Sequence, residues 1–302
     1  MAAGAEVEIK GKRLKLSNLD KVLYPEAGFT KGQIIDYYTR VADAVLPHLK
    51  KRPLTLKRYP NGVDQGHFYE KRCPSHRPEW VETVGMDSDR HGGVIQYCAC
   101  NDLATLVWVA NLASIELHPS LARGPDVLEP TTVAFDLDPG PPAAVLECAQ
   151  VALWLRGVLD ELGLQSFPKT SGSKGLQIYV PLNTATDYSR TKGFAHALAR
   201  LLEKQHPKDV LSVMNKDKRK GKVFIDWSQN DEHKTTVAVY SLRAKERPTV
   251  STPLRWEEVE SALDKNDADA LVFEADQVVE RVDADGDLFD PVNTLKQKLP
   301  KL

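Results

Sequence analysis

Two aspartates, Asp136 and Asp138, stand inside an apolar run from Thr132 to Asp138 that reads as a β-strand. Residues two apart on a strand point to the same face, so the two carboxylates lie side by side. Carboxylates that close repel and raise each other's pKa unless a cation neutralises them. Hard divalent ions such as Mg²⁺ or Mn²⁺ prefer such oxygen ligands. Asp138, before Pro139-Gly140, also suits a turn; Asp136, in mid-strand, has no such explanation. A third acid, Asp226, interrupts the apolar strand Val223-Phe224-Ile225. Phosphoryl transfer on two metal ions needs about three carboxylates holding ions ~3.5–4 Å apart, which makes Asp136, Asp138 and Asp226 the candidate catalytic and metal-ligating set.

Around these acids the pattern alternates regularly. Thr132–Asp138 is a strand, Pro141–Leu162 a helix, Gln165–Thr170 and Leu176–Pro181 strands, Arg190–Glu203 a helix, and Lys222–Trp227 and Thr235–Leu242 strands. The order β-α-β-β-α-β is the split βαβ arrangement of ferredoxin-like and RNA-recognition-motif sheets. Upstream, Thr30–Leu49 predicts one amphipathic helix with Thr30 as N-cap and Ile34, Ile35, Tyr38, Val41, Ala42 and Val45 on one side. Asp102–Ser114 predicts a second, strongly apolar helix, and residues 58–72 a loop rich in Pro, Gly, aromatic and basic side chains. The expected fold is mixed α/β (α+β). An RNA-recognition-motif-like catalytic core fills residues 131–302 and ends in an acidic helical tail, Trp256–Asp290. An N-terminal α/β subdomain, residues 1–130, packs on it as part of one integrated domain.

The formal net charge is only −2, but it is unevenly spread. Between Glu257 and Asp290 there are 13 acidic and two basic residues, and elsewhere basic residues exceed acidic ones by nine. The basic residues cluster in 10–15, 50–58, 71–72 and 216–222. A local positive field can bind phosphate on a protein that is nearly neutral overall. The loop Lys216-Asp217-Lys218-Arg219-Lys220-Gly221-Lys222 runs straight into the Asp226 strand, where it would suit a primer or template strand; as a bland alternative it is a solvated hairpin.

Thr170-Ser171-Gly172-Ser173-Lys174-Gly175 ends a strand with hydroxyls, glycines and a lysine, the makings of an anion nest. It lacks the spacing of a P-loop, and a plain hairpin turn is the competing reading. Arg243, closing the strand after Asp226, could reach a triphosphate. No apolar run approaches the ~18 residues that span a bilayer, and residues 1–15 contain no apolar segment of a secretory signal. Four cysteines in 302 residues make no disulfide framework and point to a reducing cytoplasm. Cys73, His76, Cys98 and Cys100 are a weak zinc set, with a gap of 21 residues in the middle; Cys98 and Cys100 fit better as small core residues of a strand.

These segments together resemble the archaeo-eukaryotic primase superfamily, most closely the polymerase domain of the bacterial end-joining ligase called ligase D and its stand-alone relatives. The resemblance runs through residues 20–25, 57–62, 115–118, 134–140, 170–175 and 224–230, in order along nearly the whole chain. It implies that Asp136, Asp138 and Asp226 hold two Mn²⁺ or Mg²⁺ ions. It gives Ser171, Ser173, Lys174, Gln229 and Arg243 to the incoming nucleotide, with His118 near its phosphates. Lys21 and Lys31, ten residues apart, would hold a DNA 5′-phosphate, and free N–H groups at the start of the helix after Thr30 would assist. Lys57, Arg58, Phe68, Tyr69, Lys218, Arg219 and Lys220 would contact DNA. Gln177 stands where many relatives have His, which weakens the case for a triphosphate contact there.

The implied activity is a DNA-directed primase-polymerase that adds nucleotides, ribonucleotides preferred, at short 5′-phosphorylated gaps or breaks during non-homologous end joining. The implied partners are NTP or dNTP, a DNA ligase and the Ku end-binding protein, in the bacterial cytoplasm with the nucleoid and away from membranes. No ligase or nuclease motif is present, and a start at Met1 favours a stand-alone protein. Two other readings compete. A haloacid-dehalogenase-type phosphatase also carries D-x-D after a strand, but it needs a late acidic pair that is missing beside Asp226. A non-catalytic DNA-end-binding module would carry the basic patches, but not three aspartates turned toward phosphate.

Overall fold

The computed structural model describes residues 4–88 and 92–300. The chain forms two compact units. The first comprises Met1–Val127, Thr235–Val250 and Glu274–Asp287, and the second Leu128–Lys234, Ser251–Phe273 and Leu288–Leu302.

The first unit opens with two short hairpins, β1 (Ala5–Ile9) with β2 (Lys12–Leu16), and β3 (Val22–Tyr24) with β4 (Phe29–Thr30). Thr30 caps α1 (Lys31–Arg40) through a reciprocal box with Gln33. The expected single helix is in fact two, because Val41 leaves helical geometry (φ −92°, ψ 10°) before α2 (Ala42–Leu49). The apolar face nevertheless continues through the break: Ile34, Tyr38, Val41 and Val45 are all fully buried. An antiparallel sheet follows, in which β5 (Leu54–Arg58) pairs with β6 (Phe68–Glu70), with β8 (Gly93–Cys98) at Leu54, and with β9 (Ser114–Pro119). β7 (Thr83–Ser88) pairs with β8. β6 lies within what the sequence suggests is a loop. The second expected helix, α3 (Leu103–Asn111), is capped by Asp102 and ends early, since Ala113 takes a positive φ of 58° and Ser114 begins β9.

Cys73 and Cys98 form a disulfide, which corrects the expectation of unpaired cysteines. It also removes the zinc alternative, because both sulfurs are bonded to each other, while Cys100 is a buried free thiol.

The second unit carries β10 (Thr132–Pro139), α4 (Val145–Glu161), β11 (Phe167–Thr170), β12 (Leu176–Pro181), α5 (Tyr188–Gln205), β13 (Val210–Leu211) and β14 (Val223–Asp226). The sheet order is β11-β12-β10-β14-β13, with β10 antiparallel to both neighbours. This is the expected split βαβ sheet with a short strand added at the β14 edge. α4 begins at Val145 rather than Pro141, after the Pro-Gly-Pro-Pro turn. One face of the sheet presents Val133, Phe135, Leu137, Leu176, Ile178, Val180, Val223 and Ile225 to a core completed by α4 and α5. Burying each such side chain contributes roughly 1.5–3 kcal/mol, and strand alternation puts Asp136, Asp138 and Asp226 on the opposite face.

The segment Thr235–Leu242 is not a strand of this sheet. It belongs to the first unit, where Thr236 and Ala238 donate backbone hydrogen bonds to Pro119 and Leu117 alongside β9. The acidic stretch supplies one helix to each unit, α6 (Trp256–Asp264) to the second and α7 (Ala275–Asp285) to the first. Each buries an apolar stripe, Val259 and Ala262 in α6 and Val278 and Val279 in α7. Among the described residues, no helix is long and apolar enough to cross a membrane.

Candidate active site

In the second unit the strand register sets out a row of polar side chains. Asp136 on β10 is the direct partner of Asp226 on β14 and of Gln177 on β12, and Gln177 is in turn opposite Lys169 on β11. Asp138 lies two residues further along β10, opposite Phe224. Desolvation, with the Asp138 and Asp226 carboxylates adding to it, pushes Asp136 up to about 7, against a hydrogen bond from Gln177 and the charge of Lys169. Lys169 is fully buried, stacks over Tyr179 and donates to Ser251 Oγ at 2.6 Å.

Each aspartate has its own support. Asp226 Oδ1 accepts from the Ser228 N–H at 3.0 Å and from the Ser228 hydroxyl, and Oδ2 accepts from Gln229 Nε2 at 2.7 Å. Asp138 is half exposed and lies 3.9 Å from Arg219, whose guanidinium stacks 4.1 Å from the centre of the Phe224 ring. Asn230, fully buried, exchanges two hydrogen bonds with the backbone of Ala134 and so ties the turn after β14 to β10.

Among the described residues, no three His, Cys, Asp or Glu side chains are already arranged as a metal cluster. The donor chemistry nevertheless fits hard divalent cations. Three carboxylates share one face, and such a cation relieves their mutual repulsion, which adds to burial in raising Asp136.

Two glycines close the site tightly. A Cβ on Gly140 would sit 1.9 Å from the Arg219 carbonyl oxygen, and one on Gly175 would sit 1.9 Å from that of Leu137. Gly140 also exchanges backbone hydrogen bonds with Lys222 and Gly221, which anchors the foot of the basic loop. In that loop Lys218 and Lys220 are exposed, whereas Arg219 is turned inward.

The turn at Ser171–Gly175 is organised by Ser171, whose hydroxyl accepts from the N–H groups of Ser173 and Gly175, each at 3.2 Å. The anion nest expected from the sequence is therefore narrower than its glycines suggest, with Ser173 and Lys174 exposed at its rim.

The first unit holds the remaining candidates. Lys31 is buried and donates to the Ser17 carbonyl at 2.6 Å; Lys21 is exposed and donates to the Pro60 carbonyl at 2.6 Å. Burial, with Lys21 and Arg58 nearby, lowers Lys31 to about 8. The free N–H groups expected at the start of α1 are taken: those of Lys31 and Gly32 bond Lys21 and Leu19 carbonyls, and that of Gln33 bonds Thr30. Any anion there must rely on the ammonium groups.

Phe68 and Tyr69 are exposed, under Arg58 and Lys57 respectively, at 5.2 and 5.4 Å from the ring centres. Both cations are also paired, Arg58 with Glu70 at 2.8 Å and Lys57 with Glu116 at 3.3 Å. His118 Nε2 lies 2.9 Å from Glu116 and Arg243 Nε 3.3 Å from it. Glu116 has no role in the sequence reading. The signal was present, since an acid within the buried strand Ser114–Pro119 is the same anomaly as Asp136 within β10.

The model of the LigD primase-polymerase domain family matches residues 30–289. The chain is 39% identical over 284 residues to the multifunctional non-homologous end joining protein LigD of Mycolicibacterium smegmatis, covering 93% of this chain and 36% of that protein. It is 32% identical over 275 residues to the bifunctional non-homologous end joining protein LigD of Bacillus subtilis, covering 91% and 43%. The chain thus spans less than half the length of these curated relatives. The solved polymerase domain of Mycobacterium tuberculosis ligase D, in complex with DNA, matches with a TM-score of 0.86 and 38% identity, over 94% of this chain and 99% of that one. With such agreement in sequence and in fold, this chain belongs to the LigD primase-polymerase domain family.

Proposed function

We propose that this protein is a DNA-directed nucleotidyl transferase that extends primer ends at short 5′-phosphorylated gaps or breaks during end joining. The observation that carries the reading is the register pairing of Asp136 with Asp226, with Asp138 on the same face, in a LigD primase-polymerase chain. These carboxylates would hold two Mn²⁺ or Mg²⁺ ions, which when bound acidify the primer hydroxyl and stabilise the attacking and leaving oxygens. Gln177 orients Asp136, while Ser228 and Gln229 orient Asp226.

Ser171, Ser173, Lys174 and Gln229, and in the first unit His118 and Arg243, are the proposed nucleotide contacts. Lys21 and Lys31 are the proposed 5′-phosphate contacts, Phe68 and Tyr69 a stacking surface for bases, and Lys57, Arg58, Lys218, Arg219 and Lys220 further DNA contacts. Residues 1–130 would chiefly serve DNA ends and residues 131–302 chiefly catalysis. A DNA ligase and Ku would be partners, and a chromosomal substrate would place the protein with the nucleoid in the cytoplasm.

A phosphatase is disfavoured by family membership, and a purely binding module by the three carboxylates, which would repel DNA without a metal. The test is primer extension on gapped DNA, comparing ribonucleotides with deoxynucleotides and Mn²⁺ with Mg²⁺. Short additions with a ribonucleotide preference are expected. Absence of extension with either ion and either sugar would overturn the reading.

A further inference from the structure

Glu116 is 1% exposed, and polar groups from several chain segments converge on its two oxygens. Oε1 accepts from Lys57 Nζ at 3.3 Å, Tyr59 Oη at 3.2 Å and the Ala244 N–H at 3.2 Å. Oε2 lies 2.9 Å from His118 Nε2 and 3.3 Å from Arg243 Nε. The strand geometry explains the first contacts: Glu116 and His118 are two apart on β9 and share a face, and Lys57 is the direct partner of Glu116 on β5. One carboxylate thus fixes both first-unit side chains assigned above to the nucleotide. Burial works to raise its pKa, but His118, Arg243 and Lys57 hold it far below the usual carboxylate range, so it is charged throughout the working pH range.

That charge dictates the state of the imidazole. An ionised carboxylate only accepts hydrogen bonds, so His118 Nε2 must carry a proton. In the neutral ring, Nδ1 then presents a lone pair, which repels a phosphate oxygen. The ring therefore contacts phosphate only as the imidazolium, with Nδ1–H as donor. The groups facing it are Glu116 on its own strand, Lys57 on β5, the Tyr69 ring on β6 at 6.0 Å, and Arg243. Burial lowers the His118 pKa, and Arg243 and Lys57 lower it further against the opposing pull of Glu116, so the free protein holds the neutral ring at neutral pH.

We infer that Glu116 is the positioning residue of the nucleotide site: it aims Arg243 and His118 and makes His118 a phosphate donor that takes up a proton as the triphosphate arrives. This rests on the polymerase reading, and the experiment separates the two. Nitrogen-15 NMR of the full chain, with His118→Gln identifying the signal among eight histidines, should show the Nε2–H tautomer in the free protein. Calorimetry of ATP with Mn²⁺ at pH 7.5, in two buffers of different ionisation heat, should show net uptake approaching one proton in wild type and none in His118→Gln.

Glu116→Gln should lose the tautomer preference and raise the nucleotide KM by about tenfold or more, the usual effect of losing charge-assisted hydrogen bonds, with a smaller change in kcat. Simple Coulomb repulsion predicts the opposite sign, because removing a negative charge beside an anion site tightens binding. A lower or unchanged KM, an Nδ1–H tautomer, or nucleotide binding without proton uptake would overturn the inference. Should Glu116→Gln fail to fold, the tautomer and the proton count in wild type decide alone. A wild type that binds no nucleotide overturns the polymerase reading, and the phosphate role of Glu116 with it, even if the tautomer is as expected.

Discussion

Asp136 and Asp226 are direct partners across β10 and β14, and Asp138 shares their face, so the sheet itself holds three like charges together. Replacing Asp136 or Asp138 by Ala should abolish nucleotide addition while circular dichroism remains that of the wild type. Asp136→Asn should go further and raise the metal-free Tm by roughly 2–4 °C, the shift of about 1 kcal/mol in a protein of this class, because it removes repulsion. Mn²⁺ should then stabilise wild type but not the variant. A variant that keeps a tenth of wild-type extension would end the metal-ligand assignment.

Lys31 gives a pH dependence with a definite sign. A bound 5′-phosphate favours the protonated amine, whose pKa in the free protein is about 8. The gain in affinity from the phosphate should be constant near pH 7 and decline by up to tenfold per pH unit above 8. Affinity for gapped DNA with and without the phosphate measures it. Lys21→Ala, Lys31→Ala should lose most of a gain of ~1–3 kcal/mol and flatten the profile.

The basic loop should divide into two functions. Neutralising the exposed Lys218 and Lys220 should weaken primer-template binding and reduce the slope of affinity against salt, leaving the reaction of bound substrate alone. Replacing Arg219, stacked on Phe224 beside Asp138, should lower kcat as well. Identical kinetic signatures for the two changes would show that no such division exists.

Gly140→Ala and Gly175→Ala should each destabilise on the order of 3 kcal/mol, since the added methyl meets a backbone carbonyl oxygen and not a side chain that can move. Urea denaturation of the two variants checks this, and near-wild-type midpoints would mean that the strands can separate more readily than the geometry indicates.

The candidate site is legible where a charged residue breaks an apolar alternation, as at Asp136 and Asp226, which the sheet pairs directly. Core faces were legible from periodicity, as Ile34, Tyr38 and Val45 show. What escaped depended on partners distant in sequence. No Gly or Pro marks the break at Val41. The segment Thr235–Leu242 has the composition of a strand, yet backbone hydrogen bonds from it go to Leu117 and Pro119 rather than into the sheet of β10. The N–H groups of α1 looked free because the carbonyls that take them, at Leu19 and Lys21, lie in a loop whose path the sequence does not reveal. Cys73 and Cys98 are 25 residues apart, and nothing in that spacing announces a bond.

The chain passes between its two units five times, at 127/128, 234/235, 250/251, 273/274 and 287/288. A fragment ending near residue 130 would therefore lack the segment with Arg243 and the helix α7, which belong to the same body as Lys31 and Glu116. Genetic exchange faces the same arithmetic: no single crossover point transfers one unit whole. An exchange that preserves both bodies would therefore have to carry the two together, as a segment of about 300 residues or more.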